Sequence, residues 1–212
     1  MGRIKKGILG GFSGKVGTVV GANWKSISYI RSLAQNVKNP RTIGQRKQRS
    51  KFSIVVALLK QLNVILRIGW KDFAKNQSPF NAATKHTLDN AITGTYPNFV
   101  IDYKKILISR GNLTPFFTPL TAGVGGKIKL TWLDNNNVGT ASRTDKLLFA
   151  AVNIDKGEVV TSFDGATRQT RSFEIPATEW VGDKVMVYFA FVSEDGKQTS
   201  TSQNIGPITI TN

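Results

Sequence analysis

The longest helical periodicity in the chain runs from Thr42 to Asn76. At 100° per residue its side chains fall into three stripes. Phe52, Val55, Val56, Leu59, Leu62, Leu66, Trp70 and Phe73 share one face, the usual core-facing stripe of a helix. Ile54, Leu58, Ile65 and Ile68 form a second apolar stripe, roughly a third of a turn away. Arg49, Ser53, Lys60, Arg67 and Lys71 make a third, basic face. The pattern predicts one helix over the whole stretch, with Thr42 as N-cap and Gln45 as its capping-box partner. A surface helix of a monomer needs one apolar stripe. Two make this helix either central in its domain or an interface helix, and the candidate interface residues are Ile54, Leu58, Ile65 and Ile68.

A second helix is predicted from Ser78-Pro79, with serine as N-cap and proline at the first helical position. Gly94 is its expected C-terminal cap, and Pro97 stops continuation. The two helices should pack as a hairpin. Upstream, residues 1–21 contain seven glycines interleaved with Ile4, Ile8, Leu9, Phe12, Val16, Val19 and Val20. Glycine is costly to order, yet those apolar side chains want burial, which suggests an arm that orders against its own domain or a neighbour. Val16 to Val20 and Ser26 to Arg31 have strand character, with Gly21, Ala22 and Asn23 as the turn of a hairpin.

After Pro97 the period shifts towards two. Phe99 to Tyr103 and Ile106 to Ser109 are β-rich, and Asn112 to Pro119 reads as a connector. Strands are predicted at Lys127–Leu133, Lys146–Asn153, Val159–Phe163, Arg171–Ile175, Lys184–Ser193 and Ile205–Thr211, separated by turns rich in Asp, Asn and Gly. Val185, Val187, Phe189 and Phe191 alternate and should face one core, with Trp132 as a buried aromatic. The predicted fold class is α+β: an N-terminal β-hairpin and long helical hairpin, then an immunoglobulin/fibronectin-like β-sandwich. The expected domains are 1–108 and 120–212, divided between about Ser109 and Val124.

Charge sharpens this picture. The net charge is +16, and residues 1–75 hold 16 of the 29 Lys and Arg against one acid, Asp72. Residues 76–212 hold 13 basic and 12 acidic side chains. Such asymmetry points to two regions in different surroundings, the first needing nucleic acid, anionic lipid or an acidic partner surface as counterion. The candidate polyanion-binding residues are Arg46, Arg49, Lys60, Arg67, Lys71, Lys25 and Arg31. Trp24, Lys25, Tyr29 and Arg31 interleave aromatics with cations, a mixture that can stack bases and hold phosphates or simply pack.

Catalytic material is sparse. There is no cysteine and one histidine, His86, so a triad or a thiolate or histidine-rich metal site has little to draw on. Gly10–Lys15 (GGFSGK) fails as a phosphate-binding loop, because Leu9 stands at the first glycine position and Val16 follows the lysine. Asp134 to Asn137 lacks the spaced acids of a calcium loop, and Glu194-Asp195-Gly196 reads as a hairpin turn. Neither an enzyme activity, nor a cofactor, nor a small-molecule substrate is expected. No apolar run is long enough to span a bilayer, and no secretory signal is evident, so the expected location is the cytoplasm or a particle assembled there.

The segments GRIKKGILGGFSGKVGTVVGANWK, NPRT with the following Q and QRSKF, AITGTYPNF and GDKVMVYFAFVSEDGK together resemble an uncharacterised family of Bacteroidota proteins with a domain-of-unknown-function label. The run Asn39-Pro40-Arg41-Thr42, Gln45, Arg49, Phe52 is also similar to segments of phage-encoded structural proteins. The resemblance implies no activity and no site residues. Two functional expectations follow from the residues. One is a non-enzymatic structural subunit, such as a virion, shell or filament protein, that self-associates through its N-terminal region. The alternative is a sequence-non-specific nucleic-acid-binding protein using basic residues 1–75.

Overall fold

The computed structural model describes residues 3–4, 10–24, 27–35, 39–74 and 76–212. The chain divides into two compact units, 1–43 and 44–212.

The first unit is an antiparallel sheet of four strands in sequence order: β1 (Arg3–Ile4), β2 (Phe12–Val16), β3 (Val19–Trp24) and β4 (Ile27–Ser32). Val16 pairs with Val19 across a two-residue turn, and Trp24 pairs with Ile27. The predicted turn at Gly21 to Asn23 is therefore wrong: these residues sit inside β3. Gly21 is there for close approach. A Cβ on it would lie 2.2 Å from the Phe12 carbonyl oxygen and 2.6 Å from the Phe12 ring.

The second unit begins with the helices, and the predicted single helix is two. α1 (Ile43–Gln61) and α2 (Asn63–Gly69) meet at an angle of 86° about Leu62. No proline or glycine marks the break. The bend lets Val55, Leu58, Leu59 and Leu62 on one side and Ile65 and Leu66 on the other enter one core. α2 stops at Gly69, where a Cβ would meet the Ile108 carbonyl oxygen at 2.3 Å. α3 (Pro79–Asn90) has the predicted cap, Ser78 Oγ accepting from Asn81 N at 3.1 Å. It ends at Asn90, with Ala91 as its C-cap, earlier than expected. Gly94 belongs instead to the hairpin of β5 (Ile92–Thr95) and β6 (Asn98–Ile101).

The sandwich follows: β7 (Phe117–Val124), β8 (Lys127–Leu133), β9 (Lys146–Asn153), β10 (Val159–Thr167), β11 (Ser172–Pro176), β12 (Lys184–Val192) and β13 (Gln203–Thr209). A four-stranded sheet in the order β10-β9-β12-β13 faces a three-stranded sheet in the order β11-β8-β7. This is the predicted immunoglobulin/fibronectin-like arrangement. β7 is a strand that the sequence pattern does not predict, and its first residues, up to Pro119, fall in the expected connector. Its Pro119 is tolerated because β7 lies at a sheet edge.

β9 and β12 are buried on both faces. Leu147, Phe149 and Ala151 pair in register with Phe191, Phe189 and Val187, and face the three-stranded sheet. Leu148, Ala150 and Val152 pair with Ala190, Tyr188 and Met186, and face the helices. Two-sided burial explains the near-continuous apolar run KVMVYFAFV, as in other covered sheets. It also moves the domain boundary, because α1, α2 and α3 share a core with the sandwich. The segment expected to divide them is stitched into the fold: Ser202 N donates to Ser109 O at 3.1 Å, Leu113 N to Thr199 O at 3.0 Å, and Ile108 N to Ser202 Oγ at 3.0 Å.

Candidate functional site

Directly paired residues of an antiparallel sheet point to the same side, and neighbours along a strand to opposite sides. Applied to the N-terminal sheet, the register sorts its side chains into two unlike faces. Lys15, Val20 and Arg31 form one transverse row, Ala22 and Tyr29 the next, and Trp24 and Ile27 the last. Arg3, paired with Ser13, joins the same face. Every described cation of strands β1 to β4 is on this side, beside Trp24 and Tyr29, which are 49% and 45% exposed. The opposite side carries Phe12, Gly14, Val16, Val19, Gly21, Asn23, Ser28, Ile30 and Ser32. It holds no charged residue, and Val16 and Ile30 are 53% and 65% exposed.

The unit contains eight basic residues, Arg3, Lys5, Lys6, Lys15, Lys25, Arg31, Lys38 and Arg41, and no Asp or Glu. Its field is therefore uncompensated from within. Arg31 is the predicted polyanion residue that the register places among aromatics; Lys25 lies outside the described residues. Arg3 and Lys15 were missed by sequence reasoning. The signal for Lys15 was the period of two in β2, which the misplaced turn concealed, and the two residues of β1 carry no such signal for Arg3.

The helical stripe of cations does not survive the bend. Arg46, Arg49 and Lys60 lie exposed on α1, Arg67 is exposed on α2, and Lys71 is exposed beyond the end of α2. A common face requires a common axis, and the two axes diverge by 86°. The interface stripe is likewise corrected. Leu58 and Ile65 are 7% and 1% exposed within the core under the four-stranded sheet. Ile68 packs against that core, and Ile54 is half-buried. The cover that two stripes demanded comes from the protein's own sheet. The exposed apolar groups of α1 are instead Ile43 and Phe52, with Phe52 and Val56 lining a shallow groove of about 490 Å³ beside Arg49 and Lys60.

Among the described residues no group of three His, Asp or Glu is arranged to hold a metal ion. His86 lies 5.4 Å from the Trp70 ring, with Nδ1 buried and unpartnered. Burial first, and the nearby Arg110 second, pull its pKa below the usual imidazole value. The turns at Asp134 and Asp195 are hydrogen-bonded turns, with Asp134 Oδ1 accepting from Asn136 N at 3.0 Å and Asp195 Oδ1 from Lys197 N at 3.0 Å. No helix is by itself long and apolar enough to cross a membrane among the described residues.

Comparison with solved structures finds similarity to the fn3 domain of the human collagen alpha-1(XX) chain. The identity is 10%, the TM-score 0.38, and the match covers 48% of this chain and 89% of that one. No curated protein matches the chain. Residues 11–206, spanning both the two-faced sheet and the helix-backed sandwich, match the "Family of unknown function (DUF6266)". The chain belongs to that family.

Proposed function

We propose that this protein is a non-enzymatic assembly subunit, of the kind that builds a virion, shell or filament, and that copies associate through the N-terminal sheet. The observation that carries the reading is the segregation of that sheet into a face with all its described cations and an uncharged one that exposes Val16 and Ile30. A 43-residue unit buries little apolar surface by itself, so covering the exposed apolar side chains of its sheet adds stability. Packing Phe12, Val16, Val19 and Ile30 of one copy against the same residues of another supplies that cover. It also keeps Arg3, Lys15 and Arg31 on the outside, where like charges are furthest apart. The resemblance of the Asn39–Phe52 segment to phage-encoded structural proteins agrees with a particle subunit assembled in the cytoplasm.

The test is light scattering on the full chain, with nuclease present throughout. A defined oligomer is expected for the wild type and a monomer for Ile30→Asp. A wild type that stays monomeric across the accessible concentration range would defeat the proposal.

A further inference from the structure

We propose that the cationic face of the N-terminal sheet binds single-stranded nucleic acid, with Trp24 and Tyr29 stacking bases and Lys15, Arg31 and Arg3 holding phosphates. The inference does not depend on the assembly reading, since it uses the opposite face of the sheet.

Three observations lead to it. The first is order. Along the β3–β4 hairpin, Trp24, Tyr29 and Arg31 occupy three successive rows of one face. Rows two residues apart are separated by about 7 Å. That exceeds the roughly 3.4 Å per nucleotide along one strand of a stacked duplex. The ladder therefore suits a strand whose bases are splayed apart, one ring to each base, with phosphate reaching the Lys15–Arg31 row. Duplex bases are stacked on one another and offer no free ring face to Trp24 or Tyr29.

The second observation is exposure. The other tryptophans, Trp70, Trp132 and Trp180, are 2–4% exposed and anchored in cores, whereas Trp24 is half exposed and Tyr29 beside it nearly as much. Large rings placed on an open sheet surface are a stacking platform, and stacking tolerates any base because every base has a π-face. Four-stranded sheets with exposed aromatics are one established way to hold unpaired bases.

The third is charge. Eight cations without a single acid in 43 residues make the unit attractive to polyanions at long range. An acidic protein would satisfy the charge but leave the rings unused. Single-stranded nucleic acid uses both.

The experiment is a fluorescence titration of the full chain with a short oligothymidylate, with inorganic polyphosphate as the polyanion that lacks bases. Binding of the oligonucleotide is expected to quench Trp24, and the quench should be absent with polyphosphate. Trp24→Ala with Tyr29→Ala should weaken oligothymidylate binding about 10-fold or more, followed by anisotropy of a labelled strand, because each stacked base contributes on the order of 1–3 kcal/mol. Polyphosphate binding by the same variant should be unchanged. Trp24→Phe with Tyr29→Phe should restore most of the affinity. Lys15→Ala and Arg31→Ala should each lower the slope of log K against log salt by about 0.7. Ile30→Asp should leave strand binding intact, which separates this proposal from the failure of assembly. Equal oligothymidylate binding by the wild type and the double alanine variant would overturn the proposal, as would tighter binding of duplex than of single strand, or no binding at about 50 mM salt, where a contact of this charge is strong.

Discussion

The guanidinium of Arg168 lies over the ring of Phe191, 3.9 Å from its centroid, in a place where Arg168 has no exposed surface. Phe116 stacks on the same ring at 3.7 Å. Every arm of the guanidinium is occupied: Nε donates to Asp145 Oδ2 at 3.0 Å, Nη1 to Asn135 Oδ1 at 2.6 Å, and Nη2 to Thr114 O at 2.7 Å. One side chain thus ties the start of the sandwich, the turn after β8 and the entry to β9 to the C-terminal end of β12. Removing a single partner of a buried pair leaves the other charge uncompensated and costs about 3–5 kcal/mol. Arg168→Ala and Asp145→Ala are each expected to destabilise by that amount in urea unfolding. The double variant should lose less than the sum, because the two residues satisfy each other. Additive losses would show that the pair is not coupled.

The helix-backed sheet predicts which fragment folds. Residues 44–212 alone should unfold cooperatively. A fragment of residues 117–212 should not, because it exposes Leu148, Ala150, Val152, Met186, Tyr188, Ala190 and Val192 together. Each large aliphatic or aromatic side chain among them forfeits about 1.5–3 kcal/mol of burial. Circular dichroism melts of both fragments check this, and a cooperative melt of the shorter one would return the boundary to the region after Ser109.

Two glycines in helices should respond with opposite sign. At Gly69 a Cβ meets backbone at 2.3 Å, while at Gly44 nothing lies within 4 Å. Gly69→Ala should cost about 1–3 kcal/mol through overpacking. Gly44→Ala should stabilise α1 by up to about 1 kcal/mol. Thermal unfolding of the two single variants distinguishes them, and a neutral Gly69→Ala would mean that the 108–110 segment yields easily.

His86 supplies a pH dependence. Its folded pKa is lowered, chiefly by burial, so the unfolded chain binds this proton more readily than the folded one. The contribution to stability is fully present above the unfolded value of about 6.5. It falls as the pH drops below that value and levels off once the pH is below the folded pKa. His86→Gln should flatten unfolding midpoints measured between pH 7 and 5. As the only histidine, its imidazole resonance can be titrated directly. A resonance that titrates at or above the free-imidazole value would contradict the burial argument.

Local chemistry decided much of this protein, and it is legible in the residues. The strands β8 and β9 fall where alternation and turn composition place them, residue for residue. Ser78-Pro79 caps α3 because a hydroxyl and a fixed backbone angle act within one turn. The charge of the N-terminal unit is a property of composition alone. Tertiary structure decided what depends on distant partners. α1 and α2 bend at Leu62 with no local breaker, because a sheet formed more than 80 residues later offers one surface to both. Leu58 and Ile65 became core residues for the same reason. Gly21 looks like a turn residue until Phe12 of the neighbouring strand is laid across it. The two faces of the N-terminal sheet exist only once register is set, since a shift of one residue would exchange them. Periodicity shows which side chains travel together along a strand or helix; the structure shows what each set meets.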